Sequence, residues 1–174
     1  MTPDWTTPFV LSTPWAIRAI EWLFALSAGI QTLEYWRMQS AMQGKGLWVW
    51  SIQRQDIPTP WIRHALDHLF TPSMFRVLLL SRLVALVSLA VQGGHLFNIG
   101  FLFASNLAVL IRWRGAFNGG SDFMTLVVIT GLLIAQVASC FTDTEMAWRA
   151  GFWYITIQSM TSYFMSGSVK LLQG

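Results

Sequence analysis

The chain has 174 residues, of which 54% are hydrophobic and 11% charged. An average soluble domain carries roughly 25% charged residues. The formal net charge is +3, but Lys and Arg lie mainly between apolar stretches and form no run suited to tracking phosphates, so a nucleic-acid partner is excluded. Cys140 is the only cysteine, which excludes an intrachain disulfide, a CxxC redox pair and a cysteine-rich metal centre.

A mean hydropathy of +0.50 points to an integral membrane protein. The expected architecture is all-α: one domain over residues 1–174, with about five transmembrane helices and a short interfacial amphipathic helix. Trp5, Trp15, Trp36, Trp48, Trp50, Trp61, Trp113 and Trp148 lie near expected span ends or in connections, as interfacial aromatic belts require. The opening MTPDWTTPFV has an acid and no Lys or Arg, the wrong pattern for a cleaved signal peptide. The first apolar stretch is therefore expected to stay as a span. Cys140, near a span end, reads as a small packing residue.

The first expected span covers about 15–37 and carries Arg18 with Glu21, then Glu34 with Arg37. Both pairs are three residues apart, a spacing that allows ion pairs on one helix face. Glu21 is the deeper acid, and an acid within a span is a functional candidate by default. In the long connection that follows, residues 46–70 read as an interfacial segment. WIRHALDHLF (61–70) groups Trp61, Ala65, Leu66 and Leu69, with Arg63, His64, Asp67 and His68 mostly elsewhere around the helix. His64 and His68 have metal-ligand spacing, but no further ligand is marked, so a solvated face is expected and no metal.

The second span, about 74–92, contains Arg82, whose expected partner is Glu21 or Glu34. The third, about 95–111, contains Asn98 and Asn106, amides of the kind that bond across helices. Asn118, Ser121 and Asp122 form a turn expected to cap the fourth span, about 123–141, which contains Gln136. The fifth, about 147–172, places Tyr154, Gln158, Ser162, Ser166 and Lys170 in a stripe that repeats every four residues. Facing lipid would be costly for that stripe. It is expected to pack against the first, second and fourth spans, near Glu21, Arg82 and Gln136. The Lys and Arg distribution over the loops predicts an external N-terminus and a cytoplasmic C-terminus. No internal repeat, phosphate-binding glycine loop or serine-hydrolase elbow is present.

FNGGSDFM (117–124) resembles the Asn/Gly-rich, acid-containing turn that opens a helix in bacterial proteins with the horizontally transferred transmembrane domain. IQSMTSYFMSGSVKL (157–171) resembles a Gln…Tyr-Phe…Gly…Lys-Leu helix of the same superfamily, which includes the vitamin K-dependent gamma-glutamyl carboxylases. The resemblance implies a bacterial inner-membrane protein. It also implies that Lys170 corresponds to the base that deprotonates vitamin K hydroquinone, with Tyr163, Phe164, Gly167 and Leu171 as matching neighbours. SVKL stands where the carboxylases have Val-Lys-Lys-Leu, so one of the paired lysines is absent. The carboxylases also continue into a large lumenal domain, so similarity of fold is expected here rather than transfer of activity.

Three functions follow as expectations. The first is a non-catalytic accessory subunit whose partners are membrane lipids and other membrane proteins. The second is a membrane enzyme, or a quinone- or lipid-binding protein, using Lys170 with Gln158 and Ser162 holding a ligand carbonyl. The third is a transport or peptide-maturation factor. No cofactor is required, and a bound quinone or lipid is compatible with the composition.

Overall fold

A computed structural model describes residues 13–42, 49–113 and 119–173. The described residues form helices and no strand: α1 (Thr13–Arg37), α2 (Trp50–Gln53), α3 (Pro60–Leu69), α4 (Pro72–Gln92), α5 (Leu96–Trp113), α6 (Gly119–Ala138) and α7 (Thr144–Gln173). The five long helices occupy the five apolar stretches, and α2 and α3 fall in the segment between the first two. By length and composition, α4 and α5 are apolar enough to cross a membrane, and Asp122–Ala138 is a shorter apolar helix. Charges in α1 and the polar stripe of α7 dilute the apolar character of those two helices.

Local chemistry sets the helix ends. Pro60 and Pro72 stand at the first positions of α3 and α4, where a missing N–H costs nothing. Gly93 ends α4 at φ 89°, a conformation that favours glycine. His95 Nδ1 accepts the Asn98 N–H at 3.2 Å and caps α5. Asp143 accepts the Met146 N–H at 2.9 Å and does the same for α7.

The core follows steps of three and four residues. On α1 the buried positions include Glu21, Phe24, Ala28, Thr32 and Tyr35; on α4 they are Phe75, Leu79, Arg82, Leu86 and Leu89. That step keeps one seam facing its neighbour along gently inclined helices. It produces two apolar clusters. One gathers Phe24, Leu86, Leu89, Ile99, Leu102, Ile129, Leu132 and Trp148. The other gathers Tyr35, Phe70, Phe75, Leu79, Val109 and Trp113, and ties the α2–α3 segment to the ends of α4 and α5. The polar residues Thr32, Arg82, Ser105 and Asn106 are buried with them.

The last helix departs from expectation. At about 45 Å, the 30-residue α7 is longer than the 20-residue α6 on which it chiefly packs. Their crossing is built on glycine: a Cβ added to Gly151 would sit 2.6 Å from the Gly131 carbonyl oxygen and 3.0 Å from Ala135 Cβ. Trp148 and Phe152 join the first apolar cluster there. Beyond Ile155, every α7 side chain described is exposed except the half-buried Ser159 and Ser168. Gln158, Ser162, Ser166 and Lys170 therefore do not pack against α1, α4 and α6, and only Tyr154 is half-buried. The tight contact lies in the first half of α7, and past it most of the described side chains are exposed.

The glycine crossing yields a contrast. Gly151→Leu meets backbone that cannot rotate away, and overpacking of this kind costs about 1–3 kcal/mol. A clear fall in thermal midpoint in mild detergent is expected. Gly167→Ala meets nothing within 4 Å and should leave the midpoint unchanged or slightly raised.

Candidate functional site

Three polar groups are built into the bundle. The first lies at the α4–α5 turn. Arg18 pairs with Glu21 at 2.6 Å and donates to the Ala90 carbonyl at 2.6 Å, while Trp22 Nε1 donates to the same carbonyl at 2.8 Å. Glu21 Oε1 accepts the Gly94 N–H at 2.8 Å, and Gln136 Nε2 donates to the Gly94 carbonyl at 2.9 Å. One residue, Gly94, is thus held by α1 through its N–H and by α6 through its carbonyl. Gly94 has to be small, because a Cβ there would lie 2.8 Å from Glu21 Oε1.

The second group surrounds Arg82, whose accessibility is 0%. Its Nε donates to Thr32 Oγ1 at 3.0 Å, Nη1 to Ser105 Oγ at 3.2 Å and Nη2 to Asn106 Oδ1 at 2.8 Å. Neither Glu21 nor Glu34 is its partner, contrary to expectation. The reason is local: the Thr32 and Ser105 hydroxyls spend their protons on the carbonyls of Ala28 and Leu102 in their own helices. Each then presents lone pairs to the guanidinium, whose forked donors reach three oxygens on two helices. Asn106 Nδ2 is buried without a hydrogen-bond partner among the described residues. Asn98 also bonds to α4, donating Nδ2 to the Ala85 carbonyl at 3.2 Å.

The third group joins α1 to α6. Asp122 Oδ1 accepts from Gln31 Nε2 and, at 3.3 Å, from the Tyr35 hydroxyl. Tyr35 in turn stacks on Trp113 with ring centroids 5.5 Å apart. The expected cap differs, because α6 opens at Gly119 and Asp122 lies inside its first turn. The carboxylate still sits at the positive end of the helix, but its hydrogen-bond partners come from α1. Asn118 and the side chain of Ser121 lie outside the described residues.

Elsewhere the sequence candidates separate. His64 and His68 are exposed, and no group of three or more metal-ligating side chains occurs among the described residues. Asp67 binds Arg54 and Trp50 Nε1, each at 2.7 Å, so that face of α3 is partly committed to packing. Glu34 and Arg37 form no ion pair with any described residue, unlike Arg18 and Glu21. Lys170 is exposed and distant in sequence position from the α6 contact. Two open apolar grooves flank α1. One, of about 440 Å³, runs against α4 past Trp22, Leu26, Gly29, Leu83 and Val87. The other, of about 300 Å³, runs against α6.

Thr32, Tyr35, Gln31 and Ser105 were not singled out by sequence reasoning. The signal for Thr32 and Tyr35 was present in the step Glu21–Phe24–Ala28–Thr32–Tyr35, which places them on the same face as the buried acid.

Since Glu21 and Arg82 share no partner, their effects should add. In a double-mutant cycle, Glu21→Gln and Arg82→Lys are expected to couple by less than about 0.5 kcal/mol. Arg82→Lys alone should cost about 1–3 kcal/mol, because an ammonium cannot span the three acceptors and leaves buried oxygens unserved. Thermal or denaturant unfolding in detergent measures both.

No protein-family profile, curated protein or solved structure matches the chain.

Proposed function

We propose that this chain is a polytopic integral membrane protein that acts as a non-catalytic subunit of a larger membrane assembly. In this reading α1, α4, α5, α6 and α7 are the spans, and α2–α3 lies at the interface with Trp61 directed outward. The N-terminus is external, and the C-terminal lysine is cytoplasmic. A bacterial inner membrane follows from the resemblance to the horizontally transferred transmembrane domain.

The observation that carries the proposal is the second half of α7. Gln158, Ser162, Ser166 and Lys170 are exposed on a helix that also exposes Ile157, Met160, Phe164 and Met165. In lipid, an uncovered glutamine and hydroxyl stripe is costly, and another protein surface removes that cost. The polar groups inside the bundle, by contrast, are already engaged in holding helices together, which supports a structural role over a catalytic one.

The test is extraction from native membranes in mild detergent. The chain is expected to co-purify with other membrane proteins and to lose them when Gln158 and Ser162 are changed to Leu. Recovery as an isolated monomer under those conditions sinks the proposal.

The apolar grooves beside α1 favour a second reading, a quinone- or lipid-binding protein of carboxylase-like fold. If Lys170 is its base, Lys170→Ala abolishes turnover while the thermal midpoint stays unchanged. Retained turnover removes that assignment.

A further inference from the structure

We propose that the outward-facing groove between α1 and α4 holds one acyl chain of an anionic phospholipid, whose phosphate is bound by Arg18 at the groove's end. The inference rests on the membrane reading of the chain, and it gives the lipid-binding reading a place and a headgroup class.

The groove is built for hydrocarbon. Its walls run from Trp22 to Gly29 on α1 and from Leu83 to Ala90 on α4, about 10 Å of helix each. Its volume, about 440 Å³, falls within the roughly 300–1,000 Å³ of small-molecule sites. Trp22, Leu26 and Val87 are exposed, so the groove opens outward. None of its lining residues carries a charge, and Trp22 Nε1 is already donated to the Ala90 carbonyl. Gly29 deepens the slot, with nothing within 4 Å of the place its Cβ would take.

The chemistry of the head is set at the groove's end. There the Arg18 guanidinium lies 5.3 Å from the centroid of the Trp22 ring and donates to the Ala90 carbonyl at 2.6 Å, so it rests on both walls. Its Nη1 donates to Glu21 and to the Leu89 carbonyl. Nε and one Nη2 proton have no hydrogen-bond partner among the described residues. Two donors of a rigid fork are thus left for an incoming group, and a phosphate engages such a pair with two oxygens. Glu21 does not cancel the attraction from outside, because its side chain is 2% exposed and that of Arg18 28%, so the ion pair presents its cation. At the same end of the bundle Glu145 is paired with Arg149, and Asp143 accepts the Met146 N–H. A neutral quinone head would leave the outward charge unmatched, whereas a phosphate matches it. Depth agrees with this assignment. Arg18 lies near the start of α1 at Thr13, and Ala90 near the end of α4 at Gln92. The cation therefore stands at headgroup level beside the exposed Trp15 and Trp22, and the groove leads from it into the membrane.

The full chain, extracted from membranes in a mild non-ionic detergent, is offered equal amounts of phosphatidylglycerol and phosphatidylcholine, and the retained lipid is weighed by native mass spectrometry. One phosphatidylglycerol per chain is expected, several-fold above phosphatidylcholine. Gly29→Leu fills the groove from open space, so it should cut that retention several-fold while the thermal midpoint in lipid-free detergent holds. Arg18→Gln is combined with Glu21→Gln, so that no carboxylate is left buried without its counter-ion; the pair should erase the preference for phosphatidylglycerol over phosphatidylcholine. Glycerol phosphate, a head without a tail, should not compete. Retention untouched by Gly29→Leu, equal retention of the two lipids by the unmodified chain, displacement by glycerol phosphate alone, or a prenyl quinone carried from the membrane in place of phospholipid each overturns the inference. A chain that stays in alkali-washed membranes yet keeps no phosphatidylglycerol defeats this inference and leaves the membrane reading standing. Release by the alkali wash defeats the membrane reading and the lipid site with it.

Discussion

Thr32, Ser105 and Asn106 supply the three neutral oxygens around the Arg82 guanidinium, and the relative placing of α1, α4 and α5 depends on them. Arg82 stands at the middle of α4, the most apolar of the candidate spans. A fully buried cation is tolerated only when its donors are satisfied, because water is excluded from it. Sliding α1 or α5 by one turn relative to α4 would strand the guanidinium and reopen the hydroxyls. An apolar core of Leu, Ile and Ala resists such a slip weakly, since neighbouring turns look alike. A single polar level among apolar ones removes that degeneracy, as an asparagine does within a coiled-coil seam. The network therefore contributes register, and removing one partner of a buried charge costs far more than the intact set stabilises.

The other two polar groups extend that logic to the bundle's ends. Glu21 and Gln136 hold Gly94 from opposite sides, which fixes where α4 turns into α5. Asp122, bonded to Gln31 and Tyr35, fixes α6 against α1 near the opposite end. α1 belongs to all three groups: Arg18 and Glu21, then Thr32, then Gln31 and Tyr35. It is the helix around which α4, α5 and α6 are indexed, although it is not apolar enough to register as a membrane span by hydropathy. Its polar content is the cost of that indexing role.

Much of the helical layout was legible in the residues. Apolar runs located the five long helices, while the structure starts α4 at Pro72, two residues before the expected residue 74. The partner of Arg82 was not legible, because a buried cation suggests a buried acid, whereas Thr32 and Ser105 look like ordinary small residues until their own hydroxyl protons are followed. Asp122 was misread for a related reason. An acid near a helix start suits a cap, and only the tertiary fold reveals that α6 starts earlier and that α1 provides the donors. The stripe on α7 failed differently. Periodicity states which residues neighbour one another along a helix, and Tyr154 through Lys170 do form one slowly winding stripe, but it is silent on what lies opposite. That depends on the Gly131–Gly151 crossing, carried by two glycines without periodic signature.

The two polar patterns in this chain answer the same physical demand by different routes. Along α1, α4 and α5, buried polar side chains are matched within the fold, so the helices that bear them are held together. Along the second half of α7, Gln158, Ser162, Ser166 and Lys170 are exposed and have no partner among the described residues. The polar groups there are weaker than a guanidinium: hydroxyls, one amide and the exposed Lys170 ammonium. Bonds between such groups across helices are worth about 1 kcal/mol each or less, so no single one would hold a helix in place. The strongest polar demand is thus met inside the chain, where assembly must be unique, and the weaker one is left on the exposed second half of α7.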